Sequence, residues 1–197
     1  DGIPANVAAM EERQVLIGYL DPGAAGTGGD TLVSGTLPAG WTVNGSVDGD
    51  LAVPPNTWQH WRVLLADRDA RTKDVAVGAG CDVMLLARDG VWRTSAPKDL
   101  PDRSINLTGA SRADLAVRCA TDSTISVGND TIANVVVDNT LLTKPDAHPF
   151  AADGVSMWQA DRPSYLRDLR GEADVNTEKI SMGARTVNGS KFDIDTP

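Results

Sequence analysis

Short apolar runs separated by turn-forming dipeptides dominate this chain, and their spacing predicts strands. Gln14-Val15-Leu16-Ile17-Gly18-Tyr19-Leu20 is a compact apolar run that stops at Asp21-Pro22-Gly23, a combination that reverses the chain. The glycine-rich stretch 23–30 then reads as a flexible loop. Trp41-Thr42-Val43 reaches Asn44-Gly45, the dipeptide best suited to the positive φ angles of a tight hairpin. After Pro54-Pro55-Asn56-Thr57, the run from Trp58 to Leu65 is apolar and β-branched enough for a central strand. Further strands are predicted at 74–77, 81–87 (ending at Asp89-Gly90), 103–107, 113–118, 124–127 and 131–137. About eight to ten short strands, with turn chemistry at intervals near a dozen residues, predict an all-β Greek-key sandwich or barrel. Helix is expected only over residues 4–10, with a turn or two over 162–170.

The texture changes from Leu141 onward. Residues 144–163, including Lys144-Pro145-Asp146-Ala147-His148-Pro149-Phe150, read as an extended connector. Thr186-Val187-Asn188-Gly189-Ser190 then repeats Thr42-Val43-Asn44-Gly45-Ser46 letter for letter, and a repeat predicts a second copy of a related unit. The expected organisation is a sandwich over 1–143, a linker over 144–183, and the start of a following domain over 184–197. A first residue that is Asp1 rather than methionine suggests a removed signal peptide or a cut from something longer, and the far end suggests truncation.

Composition narrows the partners. The chain has 197 residues, with 41% hydrophobic and 23% charged residues and a net charge of −9, enough for one domain with a core and a substantial remainder. The acidic balance argues against nucleic acid, whose phosphates reward clustered lysine and arginine. No run approaches the roughly 18 apolar residues of a membrane helix, so no membrane insertion is expected.

Four segments carry a family resemblance. Met10-Glu11-Glu12-Arg13-Gln14-Val15-Leu16-Ile17 resembles an opening strand, and Gly40-Trp41-Thr42-Val43-Asn44-Gly45 a hairpin that precedes a tryptophan-rich strand. That strand stands here as Val53-Pro54-Pro55-Asn56-Thr57-Trp58-Gln59-His60-Trp61-Arg62-Val63-Leu64-Leu65-Ala66. Ala87-Arg88-Asp89-Gly90-Val91 and Ser111-Arg112-Ala113-Asp114-Leu115-Ala116-Val117 complete the succession. In this order they resemble the second, copper-free cupredoxin-like domain of three-domain multicopper oxidases, the laccases and ferroxidases. The resemblance covers about residues 10–140. Residues 184–193 resemble the first strand of the third domain, and Arg162-Pro163-Ser164-Tyr165-Leu166 the linker before it. His60, where the family usually has a basic residue, and Asp67, where it has asparagine, depart from the pattern.

The resemblance implies copper in the whole enzyme and none in this chain. Copper in such oxidases is held by clustered imidazole and thiolate donors, in His-x-His pairs and a His-Cys-His segment of the flanking domains. Here His60 and His148 lie 88 positions apart, and neither of those motifs occurs. No metal ligand and no catalytic residue is therefore assigned. His60 reads as a surface or hydrogen-bonded histidine on a sheet, against a metal ligand or proton carrier; His148 reads as a linker residue. Arg112 and Asp114, two apart on one strand, point to one face and would pair with each other or with neighbours at a sheet edge. Asp89 reads as turn chemistry.

Cys81 and Cys119 form a disulfide candidate in a secreted protein, with two buried free thiols as the alternative. Asn44, Asn106, Asn129 and Asn188 each begin an Asn-x-Ser/Thr glycosylation sequon. Asn44 and Asn188 also have the hairpin role, which leaves Asn106 and Asn129 as the stronger acceptors. The reading is a non-catalytic middle-domain fragment of a secreted, extracytoplasmic multicopper oxidase, with the flanking cupredoxin-like domains as its partners. Its whole enzyme would couple one-electron oxidation of phenols or metal ions to reduction of dioxygen. The alternative is a copper-free secreted module of the same fold with a binding or structural role.

Overall fold

The computed structural model describes residues 5–20, 40–67, 71–93, 97–141, 179–183, 186–188 and 190–191. The chain divides into one unit over Asp1–Arg162 and another over Pro163–Pro197. In the first, a four-residue helix α1 (Ala5–Ala8) leads into β1 (Glu11–Leu20). There follow β2 (Gly40–Val43), β3 (Gly49–Val53), β4 (Gln59–Ala66), β5 (Lys73–Val77) and β6 (Cys81–Arg88). The unit continues with β7 (Val91–Trp92), β8 (Lys98–Asp99), β9 (Ser104–Leu107), β10 (Arg112–Cys119), β11 (Ser123–Val127) and β12 (Asp130–Val137). In the second unit, β13 (Met182–Gly183), β14 (Thr186–Val187) and β15 (Ser190–Lys191) form an antiparallel three-stranded sheet.

The described chain is nearly all β, as its pattern of apolar runs predicts. The first unit holds two mixed sheets. One runs β2-β1-β4-β10-β6-β7, with β8 also on β6; the other runs β3-β12-β11-β5-β9. Two pairings are parallel, β1 with β4 and β3 with β12. They join strands far apart in sequence, so neither is made by a hairpin.

Several particulars differ from the sequence expectation. β1 begins at Glu11, because its first three residues pair in register with Gln59, His60 and Trp61 of β4. β3 was not expected: Gly49 and Asp50 are poor strand formers, and the strand exists by pairing with β12. Arg103 has φ 53° and belongs to the turn before β9. Arg112 and Asp114 do not lie at a sheet edge, since β10 is held between β4 and β6. The glycine-rich loop 23–30, the connector 144–163 with His148, and the helical turns expected over 162–170 lie outside the described residues.

Period-2 alternation sends one set of side chains from each sheet inward. Val15, Ile17, Trp61, Val63, Leu65, Leu115 and Val117 from the first sheet meet Val53, Val75, Val77, Ile105, Ile125 and Val135 from the second in one core. Apolar packing of this kind is the main stabilising term of a sandwich. The outer face of the seven-stranded sheet carries a second, smaller cluster of Val7, Met10, Trp58, Leu86 and Ala116, with Met84 and Trp92 packed against it. Its strand geometry depends on a bulge. Register jumps from Asp114↔Ala87 to Leu115↔Leu85, which leaves Leu86 as the extra residue. Leu85 thus joins the inner core while its neighbour Leu86 joins the outer cluster.

Candidate functional site

The pairing register sets out three cross-strand rows on the outer face of the seven-stranded sheet. Glu12, His60, Ala116 and Met84 form the first; Gln14, Arg62 and Asp114 the second; Leu16, Leu64 and Arg112 the third. Residues opposite one another share a face and lie within side-chain reach. The chemistry-bearing groups of β1, β4 and β10 therefore converge in the first two rows.

His60 Nε2 lies 2.8 Å from Asp114 Oδ1, and both residues are buried, at 3% and 8% exposure. A carboxylate accepts, so Nε2 carries the hydrogen and donates it. The same Oδ1 lies 3.6 Å from Arg62 Nε, and Arg62 Nη1 donates to Glu12 Oε1 at 3.4 Å. One polar chain thus runs from the covered His60 to the exposed Glu12 and ties three strands together. The imidazole also faces the Trp92 ring, with centroids 6.0 Å apart. The second apolar cluster is what removes this pair from water, and a buried polar group without its partner is costly.

A histidine held by an aspartate is the orienting half of a nucleophilic triad. Among the described residues no hydroxyl or thiol is hydrogen-bonded to His60, and the bond to Asp114 ties β4 to β10. Copper fits this donor set poorly. Cys81 and Cys119 are joined to each other at an S–S distance of 2.04 Å, and His60 spends Nε2 on Asp114. Among the described residues no three His, Cys, Asp or Glu side chains stand together as metal ligands.

The cysteines come together because β6 and β10 place them directly opposite in register. Close by, Arg118 lies over the Trp58 ring at 4.8 Å and donates to Asp82 Oδ2 at 2.7 Å. Asp67, one of the departures from the family pattern, lies 3.8 Å from Lys73 Nζ.

The asparagines of the sequons divide by what their side chains do. Asn44 has φ 51°, followed by Gly45 at φ 84°. Its backbone N–H donates to Leu16 O at 2.8 Å, its Oδ1 accepts from Leu16 N at 2.8 Å, and its Nδ2 donates to Gln14 O at 3.1 Å. Asn188, at φ 52°, makes the same reciprocal clasp on Ser181, with both bonds at 2.8–2.9 Å. Asp89 clasps Arg112 in the same manner, at 3.0 and 2.8 Å. Asn106 is exposed on the edge strand β9, and Asn129 is exposed in the turn between β11 and β12.

The sequence did not reveal the link between His60 and Asp114, nor the parts of Glu12 and Trp92. A partial signal was present in the Arg62 and Asp114 alternation on adjacent strands. The diagonal contact needed the register.

No protein-family model matches the chain, and no curated protein matches it. Solved structures do. A laccase-like multicopper oxidase, CueO, from the lignin-degrading bacterium Ochrobactrum sp. matches with a TM-score of 0.52 and 17% identity, over 68% of this chain and 32% of that one. A multicopper oxidase from Pseudomonas thermotolerans matches at 0.49 and 20% identity, over 68% and 35%. Fet3p, a multicopper oxidase that functions in iron import, matches at 0.47 and 12%, over 80% and 31%. The chain spans about a third of the length of these oxidases. Its sandwich has the cupredoxin-like fold of a multicopper oxidase domain.

Proposed function

We propose that this chain is the middle, copper-free portion of a secreted multicopper oxidase and serves as the spacer between its neighbours. The observation that carries this reading is the match of one sandwich to about a third of the Ochrobactrum oxidase. It is supported by the ordered succession of strand motifs from Glu11 to Val117. Two packed sheets about ten ångströms apart make a stiff body for holding two copper-bearing domains at a set distance. The whole enzyme would couple one-electron oxidation of phenols or metal ions to reduction of dioxygen to water. The isolated chain would not.

The Cys81–Cys119 bridge supports an extracytoplasmic route, since disulfides persist in oxidising compartments. The clasp of Asn188 on Ser181 repeats that of Asn44 on Leu16 and supports residues 184–197 as the start of a related domain. The Asp89 clasp shows that an Asx-Gly turn alone can produce this geometry, so the five-letter identity is the stronger part of that argument. For glycosylation, Asn106 and Asn129 are the proposed acceptors, because the Asn44 amide already donates to Gln14.

The test is copper analysis of the longer protein encoded by the same gene, with phenol-oxidase activity as readout. Bound copper and turnover are expected there, and neither in the 197-residue chain. A longer protein free of copper and of clustered His-x-His motifs would leave the copper-free module as the surviving alternative.

A further inference from the structure

The four Asn-x-Ser/Thr sequons are presented unequally by the fold. Asn44 and Asn188 engage their side chains in the clasps on β1 and on Ser181. Asn106 stands in the β9 ladder opposite Asp74, its sequon passes through the buried Leu107, and the Thr108 hydroxyl is bonded to Ser111 Oγ at 2.6 Å. Asn129 is different. It lies in the two-residue turn between β11 and β12, where Gly128 supplies the positive φ, 60°, that such a hairpin demands. Asn129, Asp130 and Thr131 are all exposed, and among the described residues the Asn129 amide is bonded to none.

This turn borders a groove. Gly128 N donates to Asp74 O at 2.7 Å, which pins the turn beside β5. The groove, of about 350 Å³, is lined by Trp41, Thr72, Asp74, Asn129 and Asp130 among others. Trp41 belongs to β2 and is half-buried, with its ring edge-to-face against Tyr19 at 5.1 Å between centroids. β2 and the β11–β12 turn come from different sheets, so closure of the sandwich is what brings an indole and a sequon to one hollow. A pyranose ring has a face of C–H groups and a rim of hydroxyls. The apolar indole suits the face, while Thr72 and Asp130, both exposed, bring hydroxyl and carboxylate oxygens for the rim.

We infer that Asn129 is the glycan acceptor of this chain and that its first sugar residue seats in this groove against Trp41. The inference rests on the proposed secreted, glycosylated reading and adds which sequon is used and where the sugar lies. The transfer needs a lipid-linked sugar pyrophosphate and a transferase of the secretory route. Asn129 Nδ2 bonds to the anomeric carbon as the bond from that carbon to the pyrophosphate oxygen breaks. The pyrophosphate leaves with the electron pair, and the amide proton passes to solvent. The occupant is a tethered sugar because the sequon itself lines the groove, and the tether supplies an effective concentration that a free saccharide lacks.

The 197-residue chain secreted from a glycosylating eukaryotic host tests this. Glycopeptide mass spectrometry should find Asn129 occupied. A glycan found only at Asn106 would keep the glycosylated reading and overturn this one; a chain bare at every sequon would overturn both. With the glycan trimmed to a single sugar, nuclear Overhauser contacts should join that sugar to the Trp41 indole, and their absence from an occupied chain would remove the seat. Thr131→Val, which deletes the sequon, should lower the Tm by a few degrees, and this shift should vanish in a Trp41→Leu background. The same shift in both backgrounds counts against the proposal. Chitobiose titrated into the unglycosylated chain separates the two sources of the sugar. No saturable change in the Trp41 indole signal is expected, and one that saturates would assign the groove to a soluble saccharide instead.

Discussion

The inner and outer faces of the seven-stranded sheet share the same strands and are held by opposite means. On the inner face, Ile17, Trp61, Leu65 and Leu115 interlock with the second sheet, and the polar exceptions are modest. Gln59, for instance, accepts from Trp61 Nε1 at 3.3 Å. On the outer face a line of directional contacts, from His60 through Asp114 and Arg62 to Glu12, joins a smaller apolar cluster in the holding. Packing fails by volume, and its losses grow with the space left behind. A polar chain fails by stranding, because removing one member leaves the next buried without a partner. The same register therefore produces two surfaces with different sensitivities to substitution.

The sharpest way to break the inner face is Trp61→Ala, at a side chain 1% exposed. It should cost about 3–5 kcal/mol, read as a lower urea midpoint with an unchanged slope. Next comes the covalent tie on that face. Replacing Cys81 and Cys119 by serine frees a loop with a sequence separation of 38. The loss should be roughly 3–4 kcal/mol on the loop-entropy model, and reduction of the parent chain should give a similar loss.

The outer face is probed by Asp114→Ala, which leaves His60 buried and Arg62 short of a partner. It should cost about 2–3 kcal/mol. A double-mutant cycle with His60→Leu should be non-additive, because the second change removes the stranded group. Additive losses would mean that the two side chains do not depend on each other.

Asp138, just past β12, marks the smallest effect. Its Oδ1 accepts from Thr140 Oγ1 at 2.6 Å and from Thr140 N at 2.8 Å, and these bonds hold its pKa below the usual carboxylate value, against a small opposing effect of desolvation. A depressed folded-state pKa contributes stability that is present above the unfolded value and is lost as pH falls through the folded one. Asp138→Asn should thus lower stability slightly at neutral pH and leave the acid end of the profile, where the carboxyl is already protonated, nearly unchanged. Asp138 is near the surface and only partly covered, so chemical-denaturation midpoints measured from acid to neutral pH will show a shallow difference at most.

Much of the fold was legible as pattern. The runs ending at Leu65, Ala87 and Val137 became β4, β6 and β12 because apolar and β-branched residues favour a pleated, half-buried surface. Asn44-Gly45 and Asp89-Gly90 turned where their positive φ angles demand it. The candidate site was legible only in its parts. Trp58, Gln59, His60 and Trp61 are all buried, so no alternation in that segment tells which face His60 takes. The bulge at Leu86 and the strand Gly49–Val53 were likewise hidden, since each exists through a pairing partner distant in the chain.

Local chemistry accounts for the strand content, the Asx-Gly turns and the poverty of clustered copper donors, because each depends on residues near one another in the chain. The parallel register of β1 on β4 is a different matter, as is the placing of Cys81 against Cys119 and the burial of His60 beside Asp114. Those follow from contacts between segments up to dozens of residues apart. Their geometry is settled only when the two sheets close on a common core and the strands can slip no further.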